Sequence, residues 1–269
     1  MKQKKENKIW VKGGHYIDQE ELPKAKCKVV TLIPAKGNSI RVPKKNIKMI
    51  AGKPLIAWTI EASLNAKYVD RTFVCTEDEE IKEVSLKYGA EVIDRPKKYA
   101  VDSIEEMNSV VQIFREEVNK LLGVENWGQE PEYLVHLMAT TPLIESKHID
   151  EALELIVEKQ AEMLTSVHYM GAGPQLHCVK INSQGQIERL FRYKDAWNVT
   201  WEDREDKREA YWVDSVINIG RYMRYNHFAS LSPGTVAYVL DKEEAFDIDV
   251  PFDFDIAEMF LKRKLKQKK

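Results

Sequence analysis

Short apolar runs alternate with longer segments of helical periodicity from residue 28 to residue 160 of this 269-residue chain, and no other feature restricts its fold as strongly. The runs are rich in β-branched residues and end at proline, glycine or charged residues, as the buried strands of a parallel sheet do. We predict four such strands, at residues 28–34, 71–76, 91–93 and 133–138. The intervening segments predict four helices, at residues 54–66, 78–88, 103–122 and 146–160.

Strands that alternate with helices in this way predict an α/β fold with a mostly parallel central sheet covered by helices on both faces. Ligands of such sheets bind at the carboxyl ends of the strands, so the loops after Pro34, Thr76 and Met138 are where we expect chemistry. The predicted ends of two helices rest on capping residues: Asp78 and Gly89 for the second helix and Ser146 for the fourth. Beyond residue 161 the alternation stops, and the remaining elements are four strand-like runs and a last helix, at 163–169, 176–181, 212–219, 235–240 and 254–266.

Two segments lie outside this pattern. Residues 1–26 are lysine-rich and weakly periodic, and we interpret them as an N-terminal appendage, either a tail or a cap on the main domain of residues 27–269. An aromatic and charged excursion around residues 185–215 contains Trp197 and Trp201. Aromatic residues are enriched at subunit interfaces, so this excursion is compatible both with a homodimer surface and with an ordinary loop.

Bulk properties exclude several classes of protein. The formal net charge is −2, which gives no overall attraction to nucleic acid or to a membrane surface. No stretch approaches the roughly 18–20 apolar residues that span a bilayer, and residues 1–8 lack the apolar region of a signal peptide. The three cysteines are widely separated, which argues against a disulfide framework. We therefore expect a soluble, cytoplasmic protein with neither a nucleic-acid nor a membrane partner.

The loop after the first predicted strand concentrates positive charge. Residues 34–46 combine four cationic side chains with a glycine and small polar residues, namely Lys36, Arg41, Lys44, Lys45, Gly37, Asn38, Ser39 and Asn46. A triphosphate requires hydrogen-bond donors and positive charge together, and a loop at the end of a strand can supply both. The loop matches neither GxxxxGK[ST] nor GxGxxG, so a solvated basic loop is the alternative; its place after the first strand favours triphosphate binding.

A run of alternating aspartates lies near the C-terminus, in FDIDVPFDFD at residues 246–255. In an extended segment Asp247 and Asp249 point to the same side. Adjacent carboxylates repel each other unless a cation lies between them, and Mg²⁺ prefers such oxygen ligands together with water and phosphate. We predict that Asp247 and Asp249 bind Mg²⁺, whereas Asp253 and Asp255 are placed to favour the start of the last helix.

The histidines and cysteines predict no further chemistry. No pair of histidines has the HxxxH spacing of a metal site. We interpret His136 and Cys75, which lie within strand patterns, as core residues. His168 lies at the end of a strand, where a core position and a contact with a substrate are both possible.

Residues 33–62, IPAKGNSIRVPKKNIKMIAGKPLIAWTIEA, resemble the opening motif of the CMP-sialic acid synthetase (acylneuraminate cytidylyltransferase) family, IPARGGSKRIPxKNxxxxxGKPLIxWTIxA. The similarity continues at residues 76–81 (TEDEEI), at Arg95 with its following proline, and at residues 246–249 (FDID). It covers about residues 28–262 and becomes weaker after residue 160.

This resemblance implies a Rossmann-like nucleotidyltransferase, usually a homodimer, which uses CTP and a divalent metal to couple CMP to the anomeric oxygen of a sugar acid. Carried over by position, it implies CTP-binding roles for Lys36, Gly37, Asn38, Ser39, Arg41, Lys45, Asn46 and Arg95. Arg41, Lys45 and Asp249 would carry the catalysis, and Asp247 and Asp249 would hold the Mg²⁺.

The chain departs from the family pattern where the acceptor and the base are expected to bind. Met138 and Ile144 replace a glutamine and an arginine of the family's QPTSPLR loop, and Glu105 and Glu106 replace small hydroxyl residues. The acceptor could therefore be a sialic acid, another nonulosonic or octulosonic acid, or a non-sugar acid or phosphonate, and the base is open. A nucleotide-binding protein without catalytic activity is the remaining alternative.

Overall fold

The computed structural model describes residues 27–100, 104–172, 179–181, 183, 187–189, 209–225 and 234–267, together with two N-terminal strands at 8–11 and 15–18. In chain order the strands are β1 Lys8–Val11, β2 His15–Asp18, β3 Val29–Pro34, β4 Met49–Ile50, β5 Lys53–Pro54, β6 Arg71–Thr76, β7 Glu91–Asp94, β8 Tyr133–Leu137, β9 Met163–Ala172, β10 Val179–Ile181, β11 Ile187–Arg189, β12 Glu209–Arg221 and β13 Val236–Leu240. The α-helices are α1 Leu55–Leu64, α2 Glu79–Lys87, α3 Ile104–Leu122, α4 Ser146–Glu158 and α5 Pro251–Gln267.

Seven strands form the central sheet, in the order β13-β9-β12-β8-β3-β6-β7. Strand β12 runs antiparallel to both of its neighbours, and all the other pairings are parallel. The predicted α/β fold with a mostly parallel sheet is therefore confirmed. The carboxyl ends of β3, β6, β8 and β9 lie at one edge of the sheet because these strands point the same way.

Alternate residues of each strand face different helices, which is why the buried strands are apolar throughout. Ile33 of β3 belongs to a core cluster with α1 and α4, through residues such as Ile56 and Ile149. Leu32 faces the opposite side, where it joins a second cluster with Phe114 of α3. Helices thus cover both faces of the sheet, as predicted.

The structure confirms the four early strands and helices with ends shifted by at most a few residues. The carboxylate of Asp78 caps α2 by accepting the N–H of Ile81 at 3.0 Å, as expected. The prediction that Ser146 caps α4 is wrong, because Glu145 occupies that position. The backbone N–H of Glu145 donates to Nδ1 of His148 at 3.0 Å, so a buried histidine satisfies the start of this helix.

Two sequence predictions fall largely outside the described residues. In the N-terminal appendage, only the antiparallel pair β1 and β2 is described. In the excursion around 185–215, the described parts are β11 and the beginning of β12, so Trp197 and Trp201 lie outside them.

Among the helices of the described residues, none combines the length and the apolar character that a bilayer span requires.

Candidate functional site

A cleft of about 510 Å³ opens at the carboxyl edge of the sheet. Eight of the ten predicted site residues line it: Lys36, Ser39, Arg41, Lys45, Asn46, Arg95, Asp247 and Asp249. The remaining two, Gly37 and Asn38, belong to the same loop but do not line the cleft. Residues more than 200 positions apart in the chain therefore meet at one site.

Two cations of the loop contact Asp249, one member of the C-terminal aspartate pair. Arg41 Nη1 lies 3.1 Å from Asp249 Oδ2, and Lys45 Nζ lies 3.5 Å from Asp249 Oδ1. Lys45 also donates to the carbonyl of Ile248 at 2.6 Å, and its side chain is only 16 % exposed. Lys45 is thus a partly buried cation fixed at the floor of the cleft, whereas Arg41, at 64 % exposure, lies at its rim.

The two predicted metal ligands differ in their surroundings. Asp247 is held by the hydroxyl of Thr140, which donates to its Oδ1. Burial raises the pKa of Asp247, and the charge of Asp249 acts in the same direction. The ionised form of Asp247 therefore gains from a cation close by. A pair of carboxylates beside a basic loop fits Mg²⁺, which takes most of its ligands from water and phosphate. Within the described part of the chain, no group of three or more His, Cys, Asp or Glu side chains could hold a metal.

Asp253 acts on the backbone instead, as predicted for a helix start. Its Oδ2 accepts the N–H groups of Asp249 at 2.7 Å and of Val250 at 2.8 Å. This carboxylate therefore fixes the chain between the aspartate pair and α5.

Asn46 and Arg95 both line the cleft with largely buried side chains. Asn46 is 4 % exposed and donates through Nδ2 to the carbonyl of Lys36 at 3.0 Å. Arg95 is 6 % exposed and donates to the carbonyl of Tyr99. Among the described residues, neither Oδ1 of Asn46 nor Nε of Arg95 has a hydrogen-bond partner. A buried polar group without a partner costs about 1–3 kcal/mol, so these two atoms favour a polar ligand.

Gly37 has a role that the sequence did not reveal. Its N–H donates to Oε1 of Glu77 at 2.7 Å, so this N–H is engaged by a carboxylate of the chain. A Cβ at position 37 would lie 2.3 Å from Oδ2 of Asp78. Glycine is therefore required here for the close approach of the loop to the start of α2. The motif TEDEEI marked these acidic residues, but nothing in the sequence showed that they contact the loop.

Apolar side chains also line the cleft and form what we call its apolar wall. Met107 and Met138 both line the cleft, and Ile40 stands 82 % exposed at the rim. Met138 thus lies where the family comparison placed an acceptor-binding glutamine. Ile144 does not, because it is 3 % exposed and packs in the core cluster beneath α1 and α4. The side chains of Glu105 and Glu106 lie outside the described residues.

Two further predictions concern residues without a catalytic role. Cys75 is fully buried, and burial raises its pKa to about 12, so its thiol is not a nucleophile near neutral pH. His136 is 1 % exposed, and its Nδ1 lies 2.8 Å from the hydroxyl of Tyr225. Both are core residues, as predicted.

The chain is similar to known cytidylyltransferases. An N-acylneuraminate cytidylyltransferase of Oncorhynchus mykiss is 26 % identical over 234 residues, which are 86 % of this chain and 49 % of the relative. The chain therefore spans about half the length of that protein. A pseudaminic acid cytidylyltransferase of Campylobacter jejuni is 28 % identical over 243 residues, 87 % of this chain and 97 % of the relative.

A solved structure shares the fold. The CMP:2-keto-3-deoxy-manno-octonic acid synthetase complexed with CTP superposes with a TM-score of 0.62 at 16 % identity, over 88 % of this chain and 99 % of the other. This likeness shows the Rossmann-like α/β fold. The family model described as Cytidylyltransferase matches residues 30–269. Since that match covers most of the sequence, the chain belongs to the cytidylyltransferase family.

Proposed function

We propose that this protein transfers CMP from CTP to a hydroxyl group of a sugar acid and releases pyrophosphate. The observation that carries the proposal is the composition of one cleft, in which partly buried cations, a carboxylate pair and two unsatisfied polar atoms meet at the carboxyl edge of the sheet. A triphosphate, a divalent cation and a nucleoside match these three groups.

The cations are arranged to bind the triphosphate. Lys36, Arg41 and Lys45 all line the cleft and come from the loop that follows β3. Lys45 is held by the carbonyl of Ile248, so little reorganisation is needed when charge develops on a phosphate beside it. Arg41 and Lys45 would stabilise the negative charge that passes to the leaving pyrophosphate.

Asn46 and Arg95 offer a hydrogen-bond acceptor and a donor to the nucleoside. Oδ1 of Asn46 would accept a hydrogen bond and Nε of Arg95 would donate one, and both atoms lack a partner in the described chain. A ribose hydroxyl or a cytosine edge presents complementary groups. The preference for CTP is supported by the family and by the names of its relatives.

Asp247 and Asp249 would hold the Mg²⁺. When bound, the ion would neutralise phosphate charge and polarise the reacting phosphoryl oxygens. The side chains of the cleft would position the acceptor hydroxyl for attack on the α-phosphate. A bond forms between the acceptor oxygen and the α-phosphorus while the bond from the α-phosphorus to the leaving pyrophosphate breaks. Thr140 orients Asp247, and Asp253 fixes the backbone that carries Asp249.

A sugar acid is the acceptor class that the comparisons favour, since relatives are named for N-acylneuraminate and pseudaminic acid. Met107 and Met138 would contact it through apolar surface. This wall suits an acceptor with acyl or methyl groups better than one with a dense cover of hydroxyls.

We also propose that the protein is a homodimer and acts in the cytoplasm. Tyr169, Tyr211 and Trp212 are exposed on neighbouring strands β9 and β12, where two of the rings pack edge to face at 5.6 Å. Exposed aromatic residues of this kind are enriched at subunit interfaces. Cys27 and Cys75 are free and buried, which is compatible with a reducing compartment.

The test is pyrophosphate release with Mg²⁺, with each of the four nucleoside triphosphates against sialic, legionaminic, pseudaminic and octulosonic acids. We expect turnover with CTP and at least one acid, abolished by Asp249→Ala and lost when the metal is chelated. The matched control is Asp255→Ala, an exposed carboxylate on the first turns of α5 outside the cleft. CTP binding without turnover on any acid would contradict the proposal and point to a non-sugar acceptor such as a phosphonate, or to a binding protein without activity.

A further inference from the structure

A buried aspartate of β12 holds a histidine of the neighbouring strand β9. The side chain of Asp214 is 5 % exposed and that of His168 is 16 % exposed. Oδ2 of Asp214 lies 3.3 Å from Nδ1 of His168. Its Oδ1 accepts the hydroxyl of Ser166 and the N–H of Val216, the latter at 3.1 Å. The carboxylate is thus surrounded by donors.

An irregularity in the sheet creates this arrangement. In the ladder between β9 and β12, residues 214–217 stand opposite the single residue Ser166. Ser215 within this bulge has φ 55°, a conformation that costs energy for a residue other than glycine. Bulges of this kind redirect side chains and are frequent beside active sites. Here the bulge turns Asp214 back toward β9.

The hydrogen bonds around Asp214 determine which nitrogen of the His168 ring carries the proton. The hydroxyl of Ser166 accepts the N–H of Ile217 at 3.0 Å, so its own proton is donated to Asp214. An ionised carboxylate accepts hydrogen bonds and donates none, and therefore Nδ1 of His168 carries the proton that joins the pair. Nε2 is then the ring nitrogen left for a ligand, and in the neutral ring it is an acceptor.

The pair lies at the same edge of the sheet as the cleft. Strands β8 and β9 both run antiparallel to β12, so their carboxyl ends point the same way. His168 is two residues beyond Ser166 toward that edge, about 6–7 Å along the strand. The N–H of Met138, which lines the cleft, lies 3.4 Å from the carbonyl of Val216 in the bulge. The bulge therefore stands between the apolar wall of the cleft and His168.

Two strand spacings separate β8 from β9, which places His168 roughly 10 Å to the side of the strand that ends at Met138. This lies on the side away from β3 and its phosphate loop. A ligand with its reacting hydroxyl beside Asp247 and Asp249 would extend over the bulge toward His168.

We propose that His168, oriented by Asp214, is a specificity-determining residue that binds the far end of the acceptor through Nε2. The inference rests on the proposed function and names a feature of its substrate. Because Nε2 is an acceptor, the substrate carries a hydroxyl or an amide N–H at the end remote from the reacting hydroxyl. Asp214 is a positioning residue that selects the ring tautomer.

The experiment compares His168→Ala, His168→Gln and Asp214→Asn with wild type by pyrophosphate release. We expect the acceptor KM of His168→Ala to rise roughly 3- to 10-fold, the equivalent of one neutral hydrogen bond, while kcat and the CTP dissociation constant stay unchanged. His168→Gln keeps an acceptor oxygen and should recover part of the loss. Asp214→Asn can donate to Nδ1 and move the proton to Nε2, so the acceptor KM should also rise.

Acceptor analogues that lack one hydroxyl or one acylamino group identify the contact. The analogue missing the group that His168 binds should have the same KM with wild type and His168→Ala. Val239→Thr, an exposed position on the adjacent strand β13, is the control for a general disturbance of this part of the sheet.

An unchanged acceptor KM in His168→Ala would overturn the inference. So would a parallel loss of CTP affinity and thermal stability in His168→Ala and Asp214→Asn, since that outcome assigns the pair a structural role. Failure of the proposed function is distinguishable from both, because wild type itself would then release no pyrophosphate with any sugar acid, and the inference would fall with it.

Discussion

Lys44 and Lys45 are adjacent in sequence but have different surroundings, and this pair gives a sharp test of the cleft. Lys45 Nζ is fixed by the carbonyl of Ile248 at 2.6 Å, and its side chain is 16 % exposed. Lys44 is 65 % exposed and paired with Glu80 outside the cleft. Lys45→Ala should therefore impair turnover severely, whereas Lys44→Ala should leave kcat within about twofold of wild type, because exposed ion pairs contribute little.

The size of the effect follows from the burial of Lys45. Two unit charges about 4 Å apart interact by roughly 4 kcal/mol at an effective dielectric constant of 20. Loss of one preorganised donor at a developing negative charge costs enzymes about 2.7–4 kcal/mol. At roughly 1.4 kcal/mol for each factor of ten, kcat of Lys45→Ala should fall about 10²- to 10³-fold.

The assay is steady-state pyrophosphate release at saturating CTP and acceptor, with thermal unfolding measured on the same samples. Thermal unfolding separates a lost charge from a lost fold, because Lys45 also joins two distant segments. If Lys45→Ala were folded and retained kcat within about threefold of wild type, Lys45 would not stabilise charge in the reaction. An equal loss of kcat in Lys44→Ala and Lys45→Ala would refute the conclusion that the burial of Lys45 sets it apart from Lys44.

Two further predictions address the loop after β3 and the start of α4. Gly37→Ala should weaken CTP binding about tenfold or more in isothermal titration, because the new Cβ would lie 2.3 Å from Oδ2 of Asp78 and overpacking costs about 1–3 kcal/mol; unchanged affinity would show that the loop can move freely. Burial lowers the pKa of His148, so below about pH 6.5 the unfolded chain takes up a proton that the folded chain resists, and this contribution to stability is lost as the pH falls. The urea midpoint of unfolding should therefore drop between pH 7 and pH 5.5 in wild type and drop less in His148→Gln. An equal drop of the midpoint in both proteins would show that His148 does not cause this pH dependence.

The parts of the site that are continuous in sequence were the parts that sequence reasoning could predict. The strand β3 and its basic loop are adjacent along the chain, so Lys36, Arg41 and Lys45 could be assigned from local pattern and family resemblance. The aspartate pair could be assigned because carboxylates at period two are a local signal. What pattern alone did not show was that Arg41 and Lys45 contact Asp249 in the folded chain.

The remaining features depend on tertiary pairing. Hydrophobic periodicity predicts a strand but not its direction, so the antiparallel insertion of β12 between β8 and β9 could not be read from the sequence. The bulge that brings Asp214 to His168 lies in the ladder between β9 and β12, so it depends on the same pairing. Ile144 shows the opposite case: a departure from the family pattern suggested an effect on the acceptor, but its side chain is buried in the core and does not line the cleft.

The residue between the two aspartates explains how so distant a segment becomes part of the site. Ile248 is fully buried in a cluster that includes Val42 of the basic loop after β3 and Phe254 of α5. Its N–H donates to the carbonyl of Thr140 at 3.1 Å, and its carbonyl accepts from Lys45. The backbone of Ile248 is thus fixed from both sides while its side chain anchors the segment in apolar surroundings. In an Asp-Ile-Asp sequence with the isoleucine turned inward, both carboxylates must face outward, and the cleft is what they face. The alternation that predicted a metal site is therefore also what turns both carboxylates toward the cleft.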